Sequence, residues 1–92
     1  MTGSITRELP IVNVKGLHAR ASAKFVDVVE RFDAQATVEK DGMSVAGDSI
    51  MGLLMLTAPR GSSIVVTTTG PDATALADAL QELVADYFGE GM

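Results

Sequence analysis

Residues 15–26 read Lys15-Gly16-Leu17-His18-Ala19-Arg20-Ala21-Ser22-Ala23-Lys24-Phe25-Val26, and within them an extended pattern gives way to a helical one. Gly16 allows the backbone to turn tightly and to come close to a ligand. Beyond it, large apolar side chains recur at helical spacing, at Phe25, Val26, Val29 and Phe32. This spacing predicts a helix over about residues 19–32 whose apolar face is buried in the core.

His18, the only histidine in the chain, lies at the N-terminal end of that predicted helix. Free backbone N–H groups and the helix dipole favour an anion there, and the dipole favours a neutral, nucleophilic imidazole. Arg20 follows two residues later and offers a fork of N–H donors that suits phosphate or carboxylate oxygens. On residue types alone two interpretations stay open: a site that holds a phosphoryl group on His18, or an ordinary surface or capping histidine.

The rest of the chain predicts an α+β fold built from four strands and three helices. Alternating or β-branched patterns predict strands over residues 5–12, 35–40, 43–46 and 62–69. Asp41-Gly42 predicts a hairpin turn between the middle two strands, and Pro10 marks the first strand as an edge strand. Helical patterns follow at residues 50–56 and 73–88. The order β-α-β-β-α-β-α predicts one domain over residues 1–92, with a four-stranded antiparallel sheet and helices on one face.

Composition and charge exclude several classes of function. The chain has no Cys and one His, which excludes disulfides and a thiolate nucleophile and argues against a structural zinc site. The net charge is −5, and all of it falls in residues 47–92, which carry one basic and six acidic side chains. This balance argues against binding to nucleic acid or to an anionic membrane surface. Because neither a membrane-spanning run nor a signal-peptide pattern is visible, we expect a cytoplasmic protein. We also expect that it needs no metal or other cofactor.

Two motifs resemble the HPr family, the histidine phosphocarrier proteins of the phosphoenolpyruvate-dependent phosphotransferase system. Residues 16–20, Gly-Leu-His-Ala-Arg, resemble the active-site motif of that family. Residues 48–54, Asp-Ser-Ile-Met-Gly-Leu-Leu, resemble its regulatory-serine segment. The resemblance extends from about Thr6 to Phe88 and implies the open-faced β-sandwich of HPr. One departure is Ala21, where the family commonly has Pro, so the fixed φ of proline is lost in the histidine loop.

The resemblance also implies a function and a set of site residues. His18 would accept a phosphoryl group from enzyme I on its Nδ1 nitrogen and pass it to enzyme IIA domains. Arg20 and the backbone at Gly16 and Ala19 would hold the phosphate. The protein would then be a covalent intermediate in a phosphotransferase relay rather than an enzyme, and we expect it to act as a monomer. The surface that docks its partners would contain Leu17, Ile50, Met51 and Leu54.

Ser49 has two interpretations. On spacing alone it is the N-cap of the helix that begins at Ile50, which needs no further function. The resemblance implies in addition that Ser49 is a regulatory site, phosphorylated by an HPr kinase/phosphorylase. A phosphate at this position would add negative charge to the docking surface, so we expect it to repel partners rather than to unfold the protein.

Two other classes of function are alternatives to the phosphoryl relay. The first is an HPr-like regulatory interaction module without a relay role, and the presence of His18 and Arg20 counts against it. The second is a domain that binds a small anion or metabolite at the same helix end. Nothing else in the sequence indicates a closed pocket for such a ligand.

Overall fold

The computed structural model describes residues 3–90 of the 92-residue chain. Strands and helices follow one another in the predicted order. The strands are β1 (Ile5–Pro10), β2 (Gln35–Lys40), β3 (Met43–Ala46) and β4 (Ser63–Thr69). The helices are α1 (Ala19–Val29), α2 (Ile50–Met55) and α3 (Ala73–Ala85), and a 3-10 turn covers Tyr87–Gly89.

The four strands form one antiparallel sheet in the order β1-β4-β2-β3. The α+β fold class and the four-stranded antiparallel sheet predicted from the sequence are therefore confirmed. β1 lies at one edge of the sheet, as Pro10 predicted, because proline cannot donate a ladder hydrogen bond. The hairpin turn between β2 and β3 is also confirmed, since Asp41 and Gly42 both have positive φ, at 51° and 83°.

The helices cover one face of this sheet and form a single core with it. Alternate strand side chains point inward, as the burial of Ala36 and Val38 on β2 shows, while their neighbours face solvent. The largest fully buried apolar side chains are Phe25, Phe88, Ile11, Leu53, Ile64, Leu76 and Leu80. Each such side chain contributes roughly 1.5–3 kcal/mol to stability relative to an exposed one.

All three helices end earlier than predicted, and α2 does so by one residue, at Met55. α1 ends at Val29 rather than at Phe32, although Phe32 still packs against the core. α3 ends at Ala85, because Tyr87 and Phe88 adopt positive φ values of 58° and 53°, which a right-handed helix does not allow. Phe88 is therefore fully buried in the core, whereas Tyr87 is 39% exposed.

No helix within residues 3–90 combines the length and the apolar character needed to cross a membrane.

Candidate functional site

The loop before α1 is fixed by a close backbone contact with the segment that follows α2. Gly16 has φ +66°, and a Cβ atom at this position would lie 2.4 Å from the Ala58 carbonyl oxygen. The next amide, that of Leu17, donates to the same carbonyl at 2.9 Å. The Gly16 amide donates to the Asn13 carbonyl at 3.2 Å, so it is not free to hold a phosphate. The expectation for Gly16 is corrected: it lets the loop approach Ala58, and its N–H is already used.

His18 occupies the N-cap position of α1, with an extended backbone conformation. Its carbonyl accepts the first hydrogen bond of the helix, from Ser22 N at 2.8 Å. Helix geometry therefore leaves the amides of Ala19, Arg20 and Ala21 without a carbonyl partner. The His18 side chain does not cap them. The N-terminal end of α1 thus presents backbone donors beside the imidazole, and the Ala19 amide is one of them.

Glu90 contacts the His18 ring, although the two residues are 72 positions apart in sequence. Glu90 Oε2 lies 2.7 Å from His18 Nε2, and the two side chains are 16% and 24% exposed. The second oxygen, Oε1, accepts from Asn13 Nδ2 at 3.3 Å, and the same amide donates to the Gly16 carbonyl at 2.8 Å. In a neutral ring, Nε2–H donating to the carboxylate leaves the lone pair on Nδ1. The contact therefore favours Nδ1 as the nucleophile.

The environment of Glu90 keeps it ionised. Burial raises the pKa of the Glu90 carboxyl. The hydrogen bond and charge of His18, the amide of Asn13 and the charge of Lys24 outweigh burial and hold that pKa below its usual value. The sequence prediction missed Glu90, because nothing in the local sequence indicates that it lies beside His18.

A cleft of ≈ 360 Å³ opens beside Glu90. Three of its six lining residues are basic; the lining comprises Val14, Lys15, Arg20, Lys24, Gly89 and Glu90. Lys24 Nζ donates to the Phe88 carbonyl at 2.7 Å, which ties α1 to the turn that contains Glu90. Arg20 and Lys15 are exposed, so with Lys24 they make the cleft suitable for an anion. The sequence prediction included Arg20 but missed Lys15 and Lys24.

Ser49 caps α2. Its Oγ accepts a hydrogen bond from Gly52 N at 3.0 Å, which confirms the capping interpretation. Within the described part of the chain Ser49 has no hydrogen bond to His18 or to the basic cleft. The structure therefore places the second motif on a separate element from the first.

The residues predicted to dock partners do not all lie at the surface. On α2, Ile50 and Met51 are 40% and 69% exposed, and Leu54 is half-buried. Leu17 is only 4% exposed and packs in the core, so its inclusion in the docking surface is corrected. Met55, at 62% exposed, extends the apolar surface of α2 and was not among the predicted residues.

The sequence and the fold both have counterparts among known proteins. The sequence model of the family described as "PTS HPr component phosphorylation site" matches residues 5–86. A phosphocarrier protein HPr from Cupriavidus necator is 44% identical over 87 residues, covering 95% of this chain and 98% of the relative. The crystal structure of a phosphocarrier protein HPr from Bacillus anthracis has a TM-score of 0.85 at 38% identity, covering 89% of this chain and 98% of the other. An HPr dimer from Thermoanaerobacter tengcongensis has a TM-score of 0.75 at 38% identity, covering 89% and 94%.

Proposed function

This chain belongs to the HPr family of phosphocarrier proteins of the phosphotransferase system, and on that premise we propose that it relays a phosphoryl group through His18. It would receive the group from phospho-enzyme I and pass it to enzyme IIA domains. The observation that carries this proposal is the contact of His18 Nε2 with Glu90, 2.7 Å away, because it leaves the Nδ1 lone pair free to act as the nucleophile.

The chemistry of the transfer follows from that contact. The Nδ1 lone pair attacks phosphorus, an N–P bond forms, and the bond between phosphorus and the donor breaks. While Nε2 keeps its proton, the phosphorylated ring carries a positive charge, which the Glu90 carboxylate balances. The phosphoryl group carries roughly two negative charges, and the free amides at Ala19 and Arg20, with the Arg20 guanidinium, can hold it. In the second transfer a nucleophile of the IIA domain forms a bond to phosphorus, while the N–P bond breaks and its electron pair returns to Nδ1.

In this proposal the protein is a carrier rather than a catalyst. His18 is itself modified, and a partner must discharge it before the next cycle. We propose that the partners dock on the exposed apolar side chains of α2, Ile50, Met51 and Met55, with the edge of Leu54. Methionine suits this task, since its flexible side chain adapts to more than one partner. We further propose a cytoplasmic, monomeric protein.

Ser49 is proposed as a regulatory site for an HPr kinase/phosphorylase. It lies at the start of α2, directly before the exposed Ile50 and Met51. A phosphate on its Oγ would place negative charge at the edge of this apolar surface. We expect that charge to weaken docking, because an apolar partner surface cannot solvate it.

The relay is tested by phosphorylation with phosphoenolpyruvate and a related enzyme I. We expect the intact mass to increase by one phosphoryl group that brief acid treatment removes, and His18→Ala to abolish the increase. Arg20→Ala should slow transfer by about 10- to 100-fold, the loss of one charge-assisted contact. Arg31→Ala is the matched control, because Arg31 is an exposed arginine near the opposite end of α1.

Two results would contradict the relay. One is an undiminished mass increase in His18→Ala. The other is no increase at all in the folded wild-type protein with an enzyme I shown to phosphorylate a relative. The second result would favour the alternative of a regulatory interaction module that has the fold but no relay role.

A further inference from the structure

The turn that carries Glu90 has a backbone conformation that needs support from outside. Tyr87 and Phe88 are consecutive non-glycine residues with positive φ, at 58° and 53°. L-residues rarely adopt this conformation, and a pair in succession does not persist without contacts that hold it. We call residues 87–90 the 87–90 turn.

Two contacts hold the 87–90 turn against α1. The Phe88 side chain is fully buried in the core. The Phe88 carbonyl accepts a hydrogen bond from Lys24 Nζ at 2.7 Å, and Lys24 itself is half-buried. A carbonyl in an irregular turn has no hydrogen-bond partner from regular secondary structure. The ammonium group of Lys24 therefore fixes the direction of the Phe88 carbonyl. Within the turn the Gly89 and Glu90 amides donate to the Asp86 and Tyr87 carbonyls, at 2.8 and 2.9 Å. The Lys24 bond joins this hydrogen-bonded turn, and with it Glu90, to α1.

Asn13 supports the same carboxylate from the other side. Its side chain is fully buried, and its Nδ2 donates to both Glu90 Oε1 and the Gly16 carbonyl. Glu90 is thus held by Asn13 from the loop before α1 and, through Phe88, by Lys24 from α1 itself. The loop and the helix that place His18 also place its carboxylate partner.

We propose that Lys24, with Asn13, is a positioning residue for phosphoryl transfer: it holds the 87–90 turn so that Glu90 keeps the proton of His18 on Nε2 and leaves Nδ1 free. Lys24 acts through Phe88 and Glu90 and not by touching the ring. This inference rests on the relay proposed above. It adds a requirement that the relay alone does not contain, namely an intact Lys24–Phe88 hydrogen bond.

The cleft offers a matched control for the charge of Lys24. Lys15 lines the same cleft, is exposed, and has no hydrogen-bond partner within residues 3–90. Lys24→Met and Lys15→Met each remove one positive charge from the cleft, but only the first removes the donor to Phe88. Lys24→Arg keeps a long cationic donor and serves as the rescue variant.

The direct readout is the tautomer of neutral His18, measured by NMR on protein with ¹⁵N-labelled imidazole. We expect the Nε2–H form to dominate in the wild type, in Lys15→Met and in Lys24→Arg. In Lys24→Met the ring should become a mixture of both tautomers. The rate of phosphoryl transfer from enzyme I should fall by about tenfold in Lys24→Met, the equivalent of one hydrogen bond, and less in Lys15→Met.

An unchanged tautomer in folded Lys24→Met would overturn the inference, as would equal loss of transfer rate in the Lys15 and Lys24 variants. If Lys24→Met does not fold, the experiment uses Lys24→Gln instead. The glutamine side chain is polar but shorter than lysine, so it does not reach the Phe88 carbonyl. The tautomer is read on unphosphorylated protein. Failure of the wild type to accept phosphate would therefore contradict the relay, while the NMR result would still decide the role of Lys24.

Discussion

Gly16 is the residue at which one added methyl group should lower the free energy of unfolding most. Its φ of +66° disfavours any side chain, and a Cβ would lie 2.4 Å from the Ala58 oxygen and 2.9 Å from the Pro59 Cα. Gly61 separates the two effects, since its φ is +92° and nothing lies within 4 Å of a Cβ there. We expect Gly61→Ala to lower the free energy of unfolding by about 1–2 kcal/mol through φ alone. Gly16→Ala should lose about 1–3 kcal/mol more, because backbone atoms must move.

Urea unfolding of the two alanine variants measures this difference. Equal losses in both would show that the loop at Ala58 relaxes without cost, and would remove the argument that Gly16 fixes the distance between the histidine loop and the segment after α2. A further loss in Gly16→Ala should be accompanied by altered chemical shifts at His18, since the loop that carries it would move.

The sequence predicted the local part of the site and not the distant part. His18, Ala19 and Arg20 are close together because the start of one helix holds them, and helix starts leave a signal in the sequence. Glu90 reaches His18 only because two residues with positive φ redirect the chain after α3, and neither tyrosine nor phenylalanine signals such a turn. Leu17 was misassigned for a related reason, since its burial depends on the contact of the loop with Ala58.

At the scale of one element, α2 depends on a single cap. The helix has only six residues, and the Ser49 Oγ satisfies one of its first amides. We expect Ser49→Ala to lower the free energy of unfolding by about 1 kcal/mol. Ser49→Asp should stay within about 0.5 kcal/mol of the wild type, because aspartate caps as well as serine and suits the positive end of a helix.

This pair of variants separates capping from regulation. If Ser49→Asp preserves stability but weakens binding to a partner, negative charge at the start of α2 acts on docking and not on folding. Ser44→Ala, which changes an exposed serine on β3, is the control for a lost hydroxyl. A Ser49→Ala variant as stable as the wild type would show that the bond to Gly52 contributes nothing.

The bounds of elements that end at a turn with a clear sequence signal were predicted to the residue. The bounds of elements whose ends depend on packing were not. β2 and β3 match their predicted bounds because the Asp41-Gly42 turn fixes where both strands meet. The end of α3 does not match, because helical spacing that continues to Tyr87 does not show that the chain leaves the helix after Ala85. The burial of Phe88 beyond that point depends on packing across the whole fold.

At the scale of the whole molecule, the contact between Glu90 and His18 should make stability depend on pH. Because the Glu90 pKa is lowered on folding, the unfolded chain binds more protons in the acid range, and stability there rises with pH. The stabilisation is fully present above the unfolded glutamate pKa of about 4.3 and is lost as pH falls through the folded value. We therefore expect Glu90→Gln to be less stable than the wild type at neutral pH and to converge with it in acid.

Denaturant unfolding of both proteins from neutral pH down to the acid range tests this linkage. Glu82→Gln, which changes an exposed glutamate on α3, is the control for the loss of one charge. A constant difference between the wild type and Glu90→Gln at every pH would show that the carboxylate contributes shape to the site but no charge-dependent stability.

The uncovered face of the sheet has a practical consequence for measuring the proposed relay. Thr37 lies exposed on β2 and alternates with the buried Ala36 and Val38, so it points away from the helices. The chain contains no cysteine, so Thr37→Cys would carry a unique thiol. A protein tethered to a sensor chip through that thiol would present its helical layer, with His18 and α2, to the solution, and binding could be timed without the attachment blocking it.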